Sequence, residues 1–319
     1  MRALIAIGLT AVYAACYVAI AAGLAYAPPL AFAGWRLVIA GAALLGLVAA
    51  SRRPLVPARR QWPWILFLAL AATAAAYGAM FASPGRAGAG IASVLGNLQP
   101  IFVVGLAALV LGERMSRADG ATLALGVLGA VAIAWPALRG GAAGLAGPAL
   151  ALAASVGFAV GSVLIKRLEP GAALLAVTGW QLLVGGLPLL AASSLLERGS
   201  PVRWTAEFAA LLLFLALPGT ALATAVWYWL VQGGDVGRLS LVFFLVPVFG
   251  LGLAVAIFGE PIGATETAGV AIIFAGIGIA LAQQWLGTTR AAAPRPYPPR
   301  RAASRRAGRT RTSSRRSGV

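Results

Sequence analysis

The chain has no histidine, one cysteine (Cys16), one lysine (Lys166) and only 8 acidic residues in 319. Without imidazole, the commonest ligand of zinc and haem and the usual proton shuttle are missing, and a single thiol cannot build a disulfide framework. No metal site and no cofactor are therefore expected. A Gly-x-x-x-x-Gly-Lys-Ser/Thr loop is absent too, so ATP coupling within the chain is not expected. Charge is scarce: 10% of residues are charged against 61% hydrophobic, more apolar surface than a soluble core of this size can hide. Lipid is the expected solvent for much of the chain.

Charge-free stretches run over residues 3–35, 61–85, 87–112, 120–138, 140–165, 170–196, 208–234, 239–259 and 267–289. Each is long enough to cross about 30 Å of hydrocarbon as a helix. The first is too long for one helix and breaks at Pro28-Pro29, which places a tenth span over about 30–50, interrupted only by Arg36. The runs are continuously apolar rather than alternating, which points to helices and away from a barrel. Arg2 before an apolar run and Ala25-Tyr26-Ala27 imitate a secretory leader. Residues 10–41 recur later as transmembrane sequence, so the first segment stays in the count.

Two internal matches organise the chain. Gly34-Trp35-Arg36-Leu37-Val38-Ile39-Ala40-Gly41 recurs as Gly179-Trp180-Gln181-Leu182-Leu183-Val184-Gly185-Gly186, and Gly90 to Glu113 aligns on Gly237 to Glu260 with ten of 24 positions identical. Nearly equal offsets of 145 and 147 indicate duplication, with residues 1–138 and 139–289 as the two five-helix repeats. An odd number of spans per repeat inverts the second copy in the membrane. Charge tests this: with a cytoplasmic N-terminus, twenty basic residues fall on the inner side and four (Arg86, Arg139, Arg198, Arg203) on the outer. Both termini are thus expected in the cytoplasm, the membrane being a bacterial cytoplasmic membrane. Residues 290–319 carry ten arginines, no acids and four prolines, and are expected to be a disordered tail. The net charge of +17 is mostly a property of that tail. It reinforces topology or meets anionic headgroups, and is not read as a nucleic-acid footprint.

The fold class expected is all-α integral membrane, ten helices in two inverted five-helix repeats. The residues that carry a family resemblance are Asn97-Leu98-Gln99-Pro100 followed by Gly112-Glu113, the equivalents Pro247 and Gly259-Glu260, Arg36, and Gln181 with Gly185-Gly186. In order and at repeat spacing they resemble the EamA family of the drug/metabolite transporter superfamily, over nearly the whole chain up to about residue 286. The resemblance implies alternating-access transport, usually export of amino acids, related metabolites or toxic compounds, often by exchange with protons. Ala14, Ala15 and Cys16 depart from the pattern, since relatives often have a Gly or Ser and an Asn before the aromatic at Tyr17.

Inside a membrane helix, Pro100 and Pro247 should free the carbonyls of Gly96 and Phe243 near mid-bilayer. Interruptions at matching positions of inverted halves are the best sequence pointer to a central cavity, the alternative being a packing kink. Polar and aromatic residues at helical spacing should face that interior: Thr10, Tyr13 and Tyr17; Thr73 and Tyr77; Ser93 and Asn97; Thr220, Thr224, Trp227 and Tyr228; Ser240. Gln99, about 200° round the helix from Asn97, is expected in a helix contact. Arg36 either snorkels to the outer headgroups or supplies a fixed positive charge, and its mate Gln181, beside Trp180, is neutral. Glu113 and Glu260 end their helices on opposite faces, as helix-end hydrogen-bonders or as proton-carrying gates beside the proline kinks.

The expected substrate-binding set is Tyr13, Tyr17, Arg36, Tyr77, Ser93, Asn97, Trp180, Gln181, Thr224, Trp227, Tyr228 and Ser240. No carboxylate falls deep in a span, so coupling to a proton has poor support and uniport or exchange stays open. The partners expected are a small-molecule substrate, membrane lipid and a coupling proton if there is one, with no nucleic acid, in a monomer or weak homodimer. The leading reading is a secondary transporter of small organic metabolites. A membrane scaffold is the alternative, and an intramembrane enzyme trails because no activated nucleophile or paired acid lies at depth.

Overall fold

The computed structural model describes residues 2–83, 86, 95–139, 145–258 and 263–291. Ser93, Glu260 and the tail beyond Ala291 lie outside the described residues, so the expectations placed on them have no structural counterpart here. All regular structure among the described residues is helical. In order the helices are α1 (Arg2–Gly23), α2 (Pro29–Ala50), α3 (Arg59–Ala82), α4 (Gln99–Leu111), α5 (Arg117–Arg139), α6 (Ala146–Leu168), α7 (Leu174–Leu196), α8 (Ala206–Gln232), α9 (236–258) and α10 (Ala264–Ala291). Among the described residues, seven helices are long and apolar enough to cross a membrane: α1, α2, α3, α6, α7, α8 and α9. The apolar stretches Gln99–Leu111 and Ala264–Ile279 are shorter.

Helix ends follow local chemistry. α2 starts on Pro29, whose fixed φ suits the first helical position, and its free Leu30 and Ala31 amides donate to the Glu197 carboxylate at 2.9 and 3.1 Å. Gly112, with φ of 68°, ends α4 in the left-handed conformation that glycine adopts without strain. The Thr205 hydroxyl caps α8 by accepting from the Phe208 amide at 3.1 Å. On the face away from Glu113, the Tyr26 hydroxyl donates to Glu207 at 2.6 Å, and this bond raises the phenol above its ordinary pKa.

Two helices contain a π-type stretch. α3 widens into a π-type stretch over Leu68–Ala75, and α8 does so over Leu217–Leu222, which opens on Pro218. Such stretches rotate side chains out of the regular α register and recur at functional sites. Thr73 and Thr220 sit in them, at the repeat offset of 147.

Close helix contacts run through glycines. A Cβ on Gly41 would stand 2.5 Å from the Leu183 nitrogen, and one on Gly186 would stand 3.0 Å from the Gly34 carbonyl oxygen, so α2 and α7 lie antiparallel with their backbones touching. A Cβ on Gly129 would meet the Gly269 carbonyl at 2.7 Å, and one on Gly276 would meet the Thr122 carbonyl at 3.4 Å, so α5 and α10 pair the same way. Further pairs are α1 with α9, α4 with α6, α2 with α8, and α3 with both α6 and α7.

Candidate functional site

Eight helices, α1 to α4 and α6 to α9, wall one central cavity of about 810 Å³ including its open mouth, while α5 and α10 pack outside it. From α1 come Tyr13, Cys16, Tyr17 and Ile20, the three- and four-residue spacing of a single helical face. Arg36 comes from α2, Thr73 and Tyr77 from α3, Asn97 and Gln99 from the start of α4, Phe158 and Ser162 from α6, Gln181 from α7, Thr224, Trp227 and Tyr228 from α8, and Phe243 from α9. The walls are largely aromatic and apolar with a few polar groups held in place, the usual make-up of a small-molecule site.

The polar groups bind one another across helices. Gln181 Nε2 donates to Thr73 Oγ1 at 3.0 Å and to the Tyr228 hydroxyl at 2.9 Å. Trp227 Nε1 donates to Ser162 Oγ at 2.9 Å, and Ser162 returns its proton to the Phe158 carbonyl at 2.9 Å. The Asn97 side chain lies by the Tyr17 hydroxyl, and Thr224 and Thr220 lie by that of Tyr77. Aromatic packing fixes the rings: Trp227 stands edge-on to Phe243 with centroids 4.7 Å apart, Tyr13 lies 5.5 Å from Phe243, and Tyr77 meets Phe158 edge-on at 5.1 Å.

Arg36 is 2% exposed, buried within the helix bundle. Its Nε donates to Thr220 Oγ1 at 2.6 Å and its Nη2 to the Gly219 carbonyl at 3.2 Å, while the guanidinium lies 5.2 Å from the Tyr77 ring centre and 5.8 Å from that of Phe81. Nη1 has no partner among the described residues. Neither does Gln181 Oε1, in a side chain 1% exposed. No acid lines the cavity among the described residues.

The structure thus brings together Tyr13, Tyr17, Arg36, Tyr77, Asn97, Gln181, Thr224, Trp227 and Tyr228 from the expected set. Trp180 stands elsewhere: its Nε1 donates to the Leu55 carbonyl at 2.9 Å and its ring lies 5.4 Å from Trp62. Neighbours on a helix point about 100° apart, so Gln181 inward sends Trp180 sideways. Ser240 is buried, but its hydroxyl bonds the Gly237 carbonyl of its own first turn at 2.7 Å. Thr10 likewise bonds back to Ile7 at 2.6 Å.

Gln99 is on the wall rather than in a simple helix contact, with Nε2 3.4 Å from Ser162 Oγ. A 100° step does not apply between Asn97 and Gln99, because both Asn97 and Leu98 lie in a turn and the regular helix starts only at Gln99. Pro100 accordingly sits in the first turn of α4, and the freed Gly96 carbonyl is reached by Ser155 Oγ at 2.7 Å. In the other half, a tight 3-10 stretch over Leu241–Phe244 precedes Pro247. Cys16, Phe158, Ser162 and Phe243 line the cavity outside the expected set. Ser162 was findable as a polar residue within an apolar run, whereas an inward phenylalanine looks the same in sequence as a lipid-facing one.

Away from the cavity, Glu113 sits at a helix end. Its carboxylate accepts from the Val236 and Gly237 amides at 3.0 and 2.9 Å, capping α9, and pairs with Lys166 at 3.2 Å. Arg238 grips Asp119 with two bonds of 3.1 Å, and Lys166 also reaches the Gly234 carbonyl. These contacts tie the α4–α5 connection to the end of α6 and the α8–α9 turn.

The EamA-like transporter family matches the chain over residues 1–135 and 145–282. "Uncharacterized transporter YvbV" of Bacillus subtilis (strain 168) is 32% identical over 256 residues, covering 80% of this chain and 83% of that protein. A "Probable amino-acid metabolite efflux pump" of Salmonella typhimurium is 30% identical over 270 residues, covering 82% and 88%. "Protein PecM" of Dickeya dadantii is 31% identical over 220 residues, covering 68% and 73%. A solved crystal structure superposes with a TM-score of 0.76 at 20% identity over 88% of this chain and 98% of its own, a likeness of fold alone.

Proposed function

The chain belongs to the EamA-like transporter family and is an integral membrane protein, and from that premise we propose that it is a secondary carrier exporting small organic metabolites by alternating access. The observation that carries the reading is the pair of crossed bonds over one cavity. Arg36 on α2 binds Thr220 on α8, and the repeat equivalents Gln181 on α7 and Thr73 on α3 bind each other. Each bond joins one half of the chain to the other, so rocking the halves strains these bonds in turn.

The same symmetry supports ten spans in two inverted five-helix repeats, with α4, α5 and α10 crossing as well. The contacts α1–α9 and α6–α4 are repeat mates, as are α2–α8 and α7–α3, while α2 with α7 and α5 with α10 are mates that meet each other antiparallel. An antiparallel meeting of equivalent helices is what a two-fold axis in the membrane plane produces. The bacterial relatives and the distribution of arginines favour the inner membrane with both ends in the cytoplasm. Amino acids or their metabolites are the first substrates to assay, because one relative's name includes them.

Cys16, the chain's single thiol, lines the cavity and serves as a built-in reporter. Small charged thiol reagents applied to right-side-out and to inverted vesicles should each modify Cys16 when they enter from their own side. In proteoliposomes, Asn97→Leu and Trp227→Ala should lower flux with insertion intact. Normal flux in both variants, or labelling of Cys16 from one side only, overturns the carrier reading.

A further inference from the structure

Among the described residues the cavity holds a buried cation and no anion. Among the described residues Arg36 is held by neutral groups, the Thr220 hydroxyl, the Gly219 carbonyl and the faces of Tyr77 and Phe81, with the Cys16 thiol beside it, and no carboxylate lines the space. Burying a guanidinium removes its charge from water, which is costly unless partners compensate it. Ring faces and dipoles offset part of the cost of desolvating it, and a counter-charge would offset far more. Among the described residues its Nη1 has no acceptor and Gln181 Oε1, on the same cavity wall, has no donor.

We propose that the transported compound supplies that counter-charge: the substrate is an organic monoanion, with a carboxylate against Arg36 and an apolar or aromatic body among Tyr13, Trp227 and Phe243. A neutral hydroxyl or amide N–H on the compound satisfies Gln181 Oε1. A zwitterion fits less well, because its ammonium enters a space already positive and finds no acid. An amine cation fits least. This deepens the carrier reading and rests on it, and it divides the compounds such a carrier handles by headgroup charge.

The test uses matched probes that share one body: 3-phenylpropionate, phenylalanine and phenethylamine, and in parallel 4-methylpentanoate, leucine and isopentylamine. Binding to the purified full chain in detergent is read by calorimetry and by thermal stabilisation. The anion of at least one series should bind about tenfold or more tighter than its zwitterion, the scale of one charge-assisted bond, and the amine more weakly still. Arg36→Gln should abolish the ordering, and Arg36→Lys should keep it in weakened form because the charge persists without the planar fork. If Arg36→Gln does not fold, Thr220→Ala, which removes one anchor of the guanidinium and leaves its charge, should still prefer the anion. Equal or tighter binding of a zwitterion or amine overturns the proposal, as does an unchanged order in Arg36→Gln or no binding by either series. Binding is measured without flux. A wrong headgroup order therefore leaves the carrier reading standing, and one-sided Cys16 labelling removes the carrier whatever the order.

Discussion

Thr220→Val should destabilise the protein clearly more than Thr73→Val, although both threonines sit in π-type stretches and the replacement has nearly the same shape. Thr220 Oγ1 accepts from the buried, charged Arg36 Nε at 2.6 Å and donates to the Leu215 carbonyl at 2.7 Å, so valine strands a charged donor. A bond to a charged group contributes about 1.5–3 kcal/mol, and losing its acceptor in a closed site brings the full desolvation cost. Thr73 accepts from the neutral Gln181 amide, which keeps its second bond to Tyr228. Neutral side-chain bonds between membrane helices average about 0.6 kcal/mol and reach about 1.7. Thermal unfolding in detergent should therefore show Thr220→Val losing about twice as much Tm as Thr73→Val, with Thr220→Ser close to the parent. Combined with Arg36→Gln, the valine substitution should cost less than about 0.5 kcal/mol, since its partner is already gone. Equal Tm losses for the two valine variants, or strict additivity with Arg36→Gln, would refute the assignment of the buried charge as the source of the difference.

Gly41→Ala should cost about 1–3 kcal/mol by forcing α2 off α7, because the new methyl meets the Leu183 nitrogen at 2.5 Å and the Gly179 carbonyl at 2.7 Å, backbone atoms that cannot turn aside. Gly46→Ala on the same helix meets nothing within 4 Å and should be neutral or slightly stabilising, so a shared Tm for the two variants would contradict the close contact. Glu113→Ala should cost about 1–2 kcal/mol by uncapping α9 and releasing Lys166, and Glu113→Gln, which keeps an acceptor, roughly half as much. An unchanged Tm in Glu113→Ala would show that this helix end needs no cap.

Composition and periodicity were enough to establish a helical chain dissolved in lipid, because backbone polar groups in hydrocarbon must be satisfied within each segment. The break between α1 and α2 was legible at Pro28-Pro29 for a similarly local reason. Much of the cavity wall was legible too, since a polar side chain in an apolar run has few places to go but inward: Tyr13 and Tyr17, Asn97, and Thr224 with Trp227 and Tyr228 all face one space. Periodicity failed where the helix itself is irregular. Gln99 reaches the wall because the turn at Asn97 and Leu98 resets the angle that a regular helix would impose. Trp180 shows the converse, a residue of the right type turned aside because its neighbour Gln181 points inward, and Ser240 bonds its hydroxyl to its own helical turn.

Sequence alone thus determined the solvent, the helical segments and the family, all of which depend on local pattern. The tertiary structure decided that Arg36 is a buried cation with no acid beside it among the described residues and is held by Thr220, that Glu197 and Glu113 cap helices far away in the chain, and that Phe158 and Phe243 face inward. Those are pairings between residues more than eighty positions apart or choices between equivalent apolar faces, and no local rule fixes them. They are settled only when the helices pack, by which backbones can touch and which polar atoms are left to find one another.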